Sequence, residues 1–305
     1  MFANPTPQMT HTLSIFRWSS RSLLATTLLL QMVPSTAQET KPTTPAPPPL
    51  ADIAWVPVFE GISRTEFRLK QPRLIKAVAL KIDLKAPGIA FLATPDNGPK
   101  PGETDGLKTS TFLQNHQLQA AINAAPFAPV VNDEGQPMDV SGLQISRGKV
   151  VSPAPKKSGL PALLLTQSNQ ARIASPPFGK LNDVWTAVSG FSVILKNGAV
   201  IEGNPSIHPR TAAGISADGR WLVWLVVDGR QFAYSGGATT MELGHWLKSL
   251  GCTEGINLDG GGTTTLAIAG KKGPEILNRP VHRGLPGCER PSGSHLGVTA
   301  RPLAK

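Results

Sequence analysis

Glu254-Gly255-Ile256-Asn257-Leu258-Asp259-Gly260-Gly261-Gly262-Thr263-Thr264-Thr265 sets a short apolar strand directly ahead of three consecutive glycines. A strand sends alternate side chains to the same side, so Asn257 and Asp259 are expected to project together. Glycine lacks a Cβ, and a run of three lets a ligand approach backbone N–H groups that can form a nest for an anion. A glycine-rich hairpin with Asp259 as an ordinary turn former is the alternative, and it accounts poorly for three glycines. No Lys-Ser or Lys-Thr follows the glycines, which excludes a nucleotide P-loop, and the Rossmann fingerprint is absent.

Immediately upstream, Met241, Leu243, Trp246, Leu247 and Leu250 fall on one helical face, Thr239 and Glu242 have capping-box spacing, and Gly251 is a natural stop. Trp221 to Val227 is an apolar strand, so residues 221 to 268 are expected to run strand, loop, helix, strand, turn, strand. Val78, Leu80, Ile82 and Leu84 alternate with other residues, the pattern of a strand with one buried face. Further strand-like segments run from Gln119 to Asn123, Leu143 to Val151, Ala162 to Thr166 and Val184 to Leu195, separated by Gly, Pro and Asn turns. The expected fold is α+β, a single domain over residues 51–305 with a mixed or antiparallel sheet core flanked by a few helices and long loops. Pro274 to Ser294, rich in Pro, Gly and Arg, is expected to be a long loop folding back over the domain.

Residues 1–37 carry Arg17 and Arg21, no acidic residue, an apolar stretch from Leu23 to Val33, and the small residues Ser35-Thr36-Ala37. They read as a cleavable signal peptide, an uncleaved anchor being the alternative, and imply a secreted or periplasmic protein with no stable membrane span after cleavage. Residues 38–50 form a Pro-rich linker that cannot contribute to a core. Losing Arg17 and Arg21 lowers the formal charge of +10 by two, and the remaining excess favours anionic partners. Basic residues are dispersed, with no run of the kind that marks a nucleic-acid arm, so no nucleic-acid partner is expected. The only cysteines, Cys252 and Cys288, match no zinc spacing, and an oxidising compartment would permit them to pair, clamping the 274–294 loop to the helix end. Oligomeric state is not legible.

His208-Pro209-Arg210-Thr211-Ala212-Ala213-Gly214-Ile215, Val227-Asp228-Gly229-Arg230, Ser235-Gly236-Gly237-Ala238-Thr239 and Asn257-Leu258-Asp259-Gly260-Gly261-Gly262 occur in that order. Together they resemble the phosphodiester glycosidase family, over residues 75 to 300. Ala121-Ile122-Asn123-Ala124-Ala125-Pro126-Phe127 is similar to the family's early strand, although Pro126 departs from the usual residue. Asn278-Arg279-Pro280, Glu289-Arg290-Pro291 and His295-Leu296-Gly297-Val298 resemble the closing segments, and Thr263 keeps the hydroxyl of the serine in many relatives.

The resemblance implies hydrolysis between a sugar's anomeric carbon and a phosphodiester oxygen, with a phosphorylated or anionic glycan as substrate. A phosphate leaving group needs little protonation, so the demands are an anion grip and a carboxylate that stabilises, attacks or activates. Arg210 is the expected phosphate clamp, because a planar guanidinium holds two oxygens at once, with Arg290 assisting. Asp259 leads the candidate carboxylates, followed by Asp228 and Glu242, although Asp228 could simply make a turn and Glu242 could simply cap the helix. Asn123, Asn257, Gly260, Gly261, Gly262, Thr263, Ser235 and His295 complete the expected binding set. No cofactor is required. The oxygen ligands could accept Ca²⁺, though EF-hand spacing is missing. Two rival functions stay open: a non-catalytic module binding envelope polysaccharide or phosphosugar, and a hydrolase of non-phosphorylated polysaccharide.

Overall fold

The run Trp221-Leu222-Val223-Trp224-Leu225-Val226-Val227 has no polar face, so a strand made from it must be covered on both sides. In the computed structural model, which describes residues 53–304 except 155, 156 and 158, together with residues 47 and 50, it lies inside an eight-stranded sheet. Ile75–Asp83 flanks it on one side and Arg210–Ser216 on the other. Beyond Arg210–Ser216 come Cys252–Asn257, Ser192–Lys196 and the edge strand Ala199–Val200. Every strand pairing given for the described residues is antiparallel, so of the mixed or antiparallel sheet expected, the antiparallel form is the one present. The chain is β-rich, with two short α-helices among the described residues, Thr109–Asn115 and Thr240–Ser249.

One face of the large sheet packs against two five-stranded sheets. Val78, Leu80, Trp224, Val226, Ala213 and Ile256 meet Leu163 and Val188 of one, and Ile122, Leu266, Leu296 and Val298 of the other. The opposite face, with Ala77, Ala79, Ala212, Leu225 and Val227, is covered by Leu243, Trp246 and Leu247 of the helix Thr240–Ser249. The strand Ile75–Asp83 is therefore buried on both faces, not one, and its small Ala77 and Ala79 leave room for the helix.

The helix starts where its sequence indicates. Thr239 Oγ1 accepts from Glu242 N (3.2 Å) and Glu242 Oε2 accepts from Thr239 N (2.8 Å), a reciprocal capping box. Gly251 takes φ +93°, the left-handed geometry that ends a helix most cheaply with glycine. Val184 to Leu195 divides into Val184–Ser189 and Ser192–Lys196, which belong to different sheets. The break falls at Gly190, where a Cβ would lie 2.5 Å from Asn257 O, so only glycine allows Phe191 N to donate to that carbonyl (2.8 Å). The 274–294 segment folds back, with Asn278 and Arg279 bonding Asp228 and Arg279 O accepting from Gln231, but it is not one long loop: Gly273–Ile276 pairs with Leu266–Gly270, and Val281–His282 with Leu285–Pro286. Residues 1–37 lie outside the described residues, as does the 38–50 linker apart from residues 47 and 50.

The expected Cys252–Cys288 disulfide is absent, and both thiols are free. Cys252 begins the strand that ends at Asn257, roughly 16 Å away at strand rise. Cys288 lies at that far end, two residues before Arg290, whose N–H donates to Gly262 O (3.3 Å). A disulfide requires Cα atoms within about 7 Å. Burial pushes the Cys252 thiol up to about 12, leaving it unreactive in the folded chain. Under non-reducing denaturation a chromogenic thiol reagent should titrate two thiols per chain, while in native buffer Cys252 should stay silent; zero thiols in denaturant would contradict the structure.

Candidate active site

Strand register decides what gathers at the end of the large sheet. Ala212 pairs with Asn257 and Asn257 with Ser192, so their side chains share a face, and Arg210, two residues before Ala212, shares it too. This is the face covered by the helix Thr240–Ser249. Beside its first residue Thr240, the side chains of Arg210, Asn257 and Ser192 line a cavity of about 520 Å³. Asp259, Gly260 and Gly261 form one wall of it, and His208, Arg230 and Arg290 close the others.

The glycine loop is held from behind by Asn123, the last residue of Ala120–Asn123 and fully buried. Its Nδ2 donates to Asp259 O (2.8 Å) and Thr263 Oγ1 (3.3 Å), and its Oδ1 accepts from Thr211 Oγ1 (2.7 Å) and Thr265 N (3.2 Å). Thr263 Oγ1 in turn donates to Asp259 Oδ2 (2.7 Å). Asn123 and Thr263 thus sit behind Asp259 and set its position; neither lines the cavity. Burial raises the Asp259 carboxyl above its ordinary value, while the Thr263 hydroxyl, Arg290 and the Gly260 N–H pull the other way.

Part of the loop's N–H capacity is spent within the protein. Gly261 N is already bonded to Pro209 O (2.9 Å), and Asp259 N to Ala124 O (2.7 Å). A Cβ on Gly260 would meet Pro209 O at 2.7 Å, one on Gly261 the Arg230 guanidinium at 3.2 Å, and one on Gly262 the Arg290 guanidinium at 3.2 Å. Glycine here seats two arginines and a neighbouring strand.

Arg210, nine-tenths buried, donates from Nε to Ala238 O (3.1 Å) and from Nη2 to Ser206 O (2.7 Å), which fixes its plane and leaves further N–H groups unspent. Arg230 Nη2 donates to His208 Nδ1 (3.2 Å), and burial together with Arg230 and Arg210 lowers the His208 pKa. Arg290 Nη2 stands 3.9 Å from Asp259 Oδ2, and its Nε is buried without an intramolecular partner, as is Asn257 Oδ1. Burial also lowers the pKa of Arg210 and Arg290, with the Arg230 charge adding to it. Guanidinium groups stay protonated regardless, so three cations face one carboxylate.

Gly262, like Asn123 and Thr263, stands behind the lining, and four further expected site residues lie outside this wall. Asp228 is buried with Oδ1 accepting from Asn278 Nδ2 (2.9 Å) and Arg279 N (2.8 Å) and Oδ2 from Tyr234 OH (3.2 Å). Glu242 is consumed by the capping box and Arg73, and the Ser235 hydroxyl donates to Asp228 O. His295 is fully buried, stacked on Phe112 with centroids 4.7 Å apart, its Nδ1 on Thr94 Oγ1 (3.0 Å). Arg230 and His208 were not singled out from sequence, although both stand in the quoted motifs. Among the described residues no three His, Cys, Asp or Glu side chains gather to hold a metal.

The scaffold and the wall define an antiparallel β protein with a pocket lined by three arginines and a single carboxylate. The chain belongs to the phosphodiester glycosidase family, whose model matches residues 116–299. Its fold is similar to the catalytic domain of zebrafish N-acetylglucosamine-1-phosphodiester alpha-N-acetylglucosaminidase, auto-inhibited by pro-peptide (TM-score 0.59, 17% identity, 81% of this chain and 85% of that one). A hypothetical protein from Synechocystis matches with TM-score 0.59 and 15% identity over 84% of this chain and 64% of that one. A Burkholderia pseudomallei protein described as exported matches with TM-score 0.52 and 15% identity, over 74% of each chain. A comparison with curated proteins found no match.

Asn123→Ala strips partners from three buried groups and should destabilise the chain by about 3 kcal/mol or more in urea unfolding, since each orphaned buried group costs about 1–3 kcal/mol. Burial lowers the His295 pKa from 6.5 to about 3. The folded state then binds fewer protons than the unfolded state between those values, so His295 makes stability fall as pH drops through that window. Melting curves across it should show a steeper acid loss for the wild type than for His295→Gln.

Proposed function

We propose that the protein hydrolyses a sugar 1-phosphodiester of the N-acetylglucosamine type at the anomeric C–O bond, outside the cytoplasm. Family membership implies a glycan substrate. The observation that carries the finer reading is the convergence of Arg210, Arg230 and Arg290 on a cavity whose wall holds one carboxylate, Asp259. A cavity of about 520 Å³ suits a monosaccharide with its phosphate.

In this reading the guanidiniums hold the phosphodiester oxygens and the sugar lies toward Asn257 and Asp259. The bond from C1 to the phosphate oxygen breaks, its electron pair leaves with the phosphate, water supplies the new C1–O bond, and the proton the water gives up passes to the departing phosphomonoester or to solvent. Asp259, ionised, stabilises the positive charge that builds at the anomeric carbon. The Thr263 hydroxyl and Arg290 favour that charged form, against burial, whose larger effect raises the carboxyl's pKa. The apolar leader and the exported relative support a location beyond the inner membrane; among the described residues no helix is long and apolar enough to cross one.

Asp259→Asn should lower kcat on an N-acetylglucosamine 1-phosphodiester by at least about a hundred-fold, and Arg210→Ala should do so while a neutral aglycone loses little. Sugar release by Asp259→Asn at the wild-type rate would refute the assignment, and binding without turnover across a diester panel would favour a binding module. The acidic limb of kcat/KM should lie above the ordinary carboxylate value and move further up in Thr263→Val, because that variant removes a hydrogen bond to the charged form.

A further inference from the structure

Four of the ten exposed large apolar side chains among the described residues, Phe191, Ile201, Ile207 and Phe232, lie in or next to segments of the cavity wall. Phe191, half exposed, lines the cavity itself. Ile207 precedes His208, Ile201 stands two residues before Gly203, and Phe232 two residues after Arg230, all three of these neighbours being wall residues.

Phe232 is fully exposed, and its backbone is held there. Arg230 N bonds Gly236 O (3.2 Å), Gln231 and Ser235 exchange backbone hydrogen bonds (3.1 and 3.0 Å), and Gln231 Nε2 reaches Arg279 O (2.8 Å). Arg230 and Ala233, on either side of it, both take left-handed φ (+57° and +54°), a conformation that side chains other than glycine adopt at a cost. A braced, strained loop that projects a phenylalanine into water beside a cationic cavity has no folding rationale.

Resting on the function proposed above, we infer that the substrate is a lipid-linked sugar phosphodiester presented in a bilayer: the guanidiniums take its phosphate, and Phe232 and its apolar neighbours take the lipid aglycone at the membrane surface. The chemistry fits both halves of such a molecule. A soluble diester uses the cavity alone, whereas the chain of a lipid diester extends out of it past these exposed apolar side chains. None of the four side chains lies in the proposed catalytic set, so they can be altered separately.

The test compares two probes on wild type, Phe232→Ser and Ile207→Ser. One is the methyl diester of N-acetylglucosamine 1-phosphate in solution; the other is a long-chain alkyl diester of the same sugar phosphate in phosphatidylcholine vesicles containing phosphatidylglycerol. Wild type should prefer the embedded diester, and Phe232→Ser should lose roughly ten-fold in kcat/KM on it, the scale of one phenylalanine's burial, with the methyl diester unaffected. Equal rates on both probes, or equal losses on both in the variant, would overturn the inference while leaving the proposed hydrolysis standing. Absence of turnover on both probes sinks the hydrolysis instead. In that case vesicle sedimentation decides the surface: wild-type binding that Phe232→Ser weakens supports it, and binding indifferent to the change rejects it.

Discussion

Asn123 is the bond on which the rest of the site depends. A primary amide has two N–H donors and two carbonyl lone pairs, and in this side chain, buried completely, all four are used. Its strand belongs to a five-stranded sheet, whereas Thr211 belongs to the eight-stranded sheet that packs on it, so one amide ties two layers together. The same amide grips the loop at Asp259, Thr263 and Thr265. Asp259 is thereby fixed relative to Arg210, which lies one residue before Thr211. No isosteric apolar side chain could replace this, because every one of the four partners is itself buried or backbone.

Around that bracket, backbone carbonyls do the work that carboxylates usually do for arginine. Arg210 is oriented by Ala238 O and Ser206 O, and Arg290 is carried on a segment anchored at Glu289, whose carboxylate accepts from Ser110 N (3.1 Å). A carbonyl fixes a guanidinium's direction without cancelling its charge. The cations therefore act on one another, and Arg230 depresses the pKa of both buried arginines. Asp259, 3.9 Å from Arg290, offsets part of this repulsion.

Much of this was readable from the chain. The capping box at Thr239 and Glu242, the apolar strand Trp221–Val227 and the loop after Asn257 follow from local spacing, and local hydrogen bonding decides such features. What stayed illegible is what register decides. Nothing local states that Ala212 faces Asn257, and so nothing local states that Arg210 and Asp259 share a cavity while Ser235 and His295 do not. The disulfide expectation failed for the same reason: compartment and cysteine count carry no information about which ends of a strand the two thiols occupy. Arg230 was hidden by its neighbour, since a turn at Asp228-Gly229 draws attention to the acid and the bend, not to the cation that follows.

The removal of Asp228 and Glu242 from the wall bears on the chemistry proposed for it. Hydrolysis of an ordinary glycosidic bond expels an alcohol, a poor leaving group that needs a second carboxyl group to protonate it. Both additional candidates are spent on structure, Asp228 on Asn278, Arg279 and Tyr234, Glu242 on its helix cap and Arg73. A phosphate departs as an already stable anion, and what it requires is positive charge held in place. A wall of three guanidiniums and one carboxylate is therefore poorly suited to an alcohol leaving group and well suited to a phosphate. The glycines fit this reading, since Gly261 and Gly262 are the positions against which the Arg230 and Arg290 guanidiniums lie, and a Cβ there would press on them at 3.2 Å.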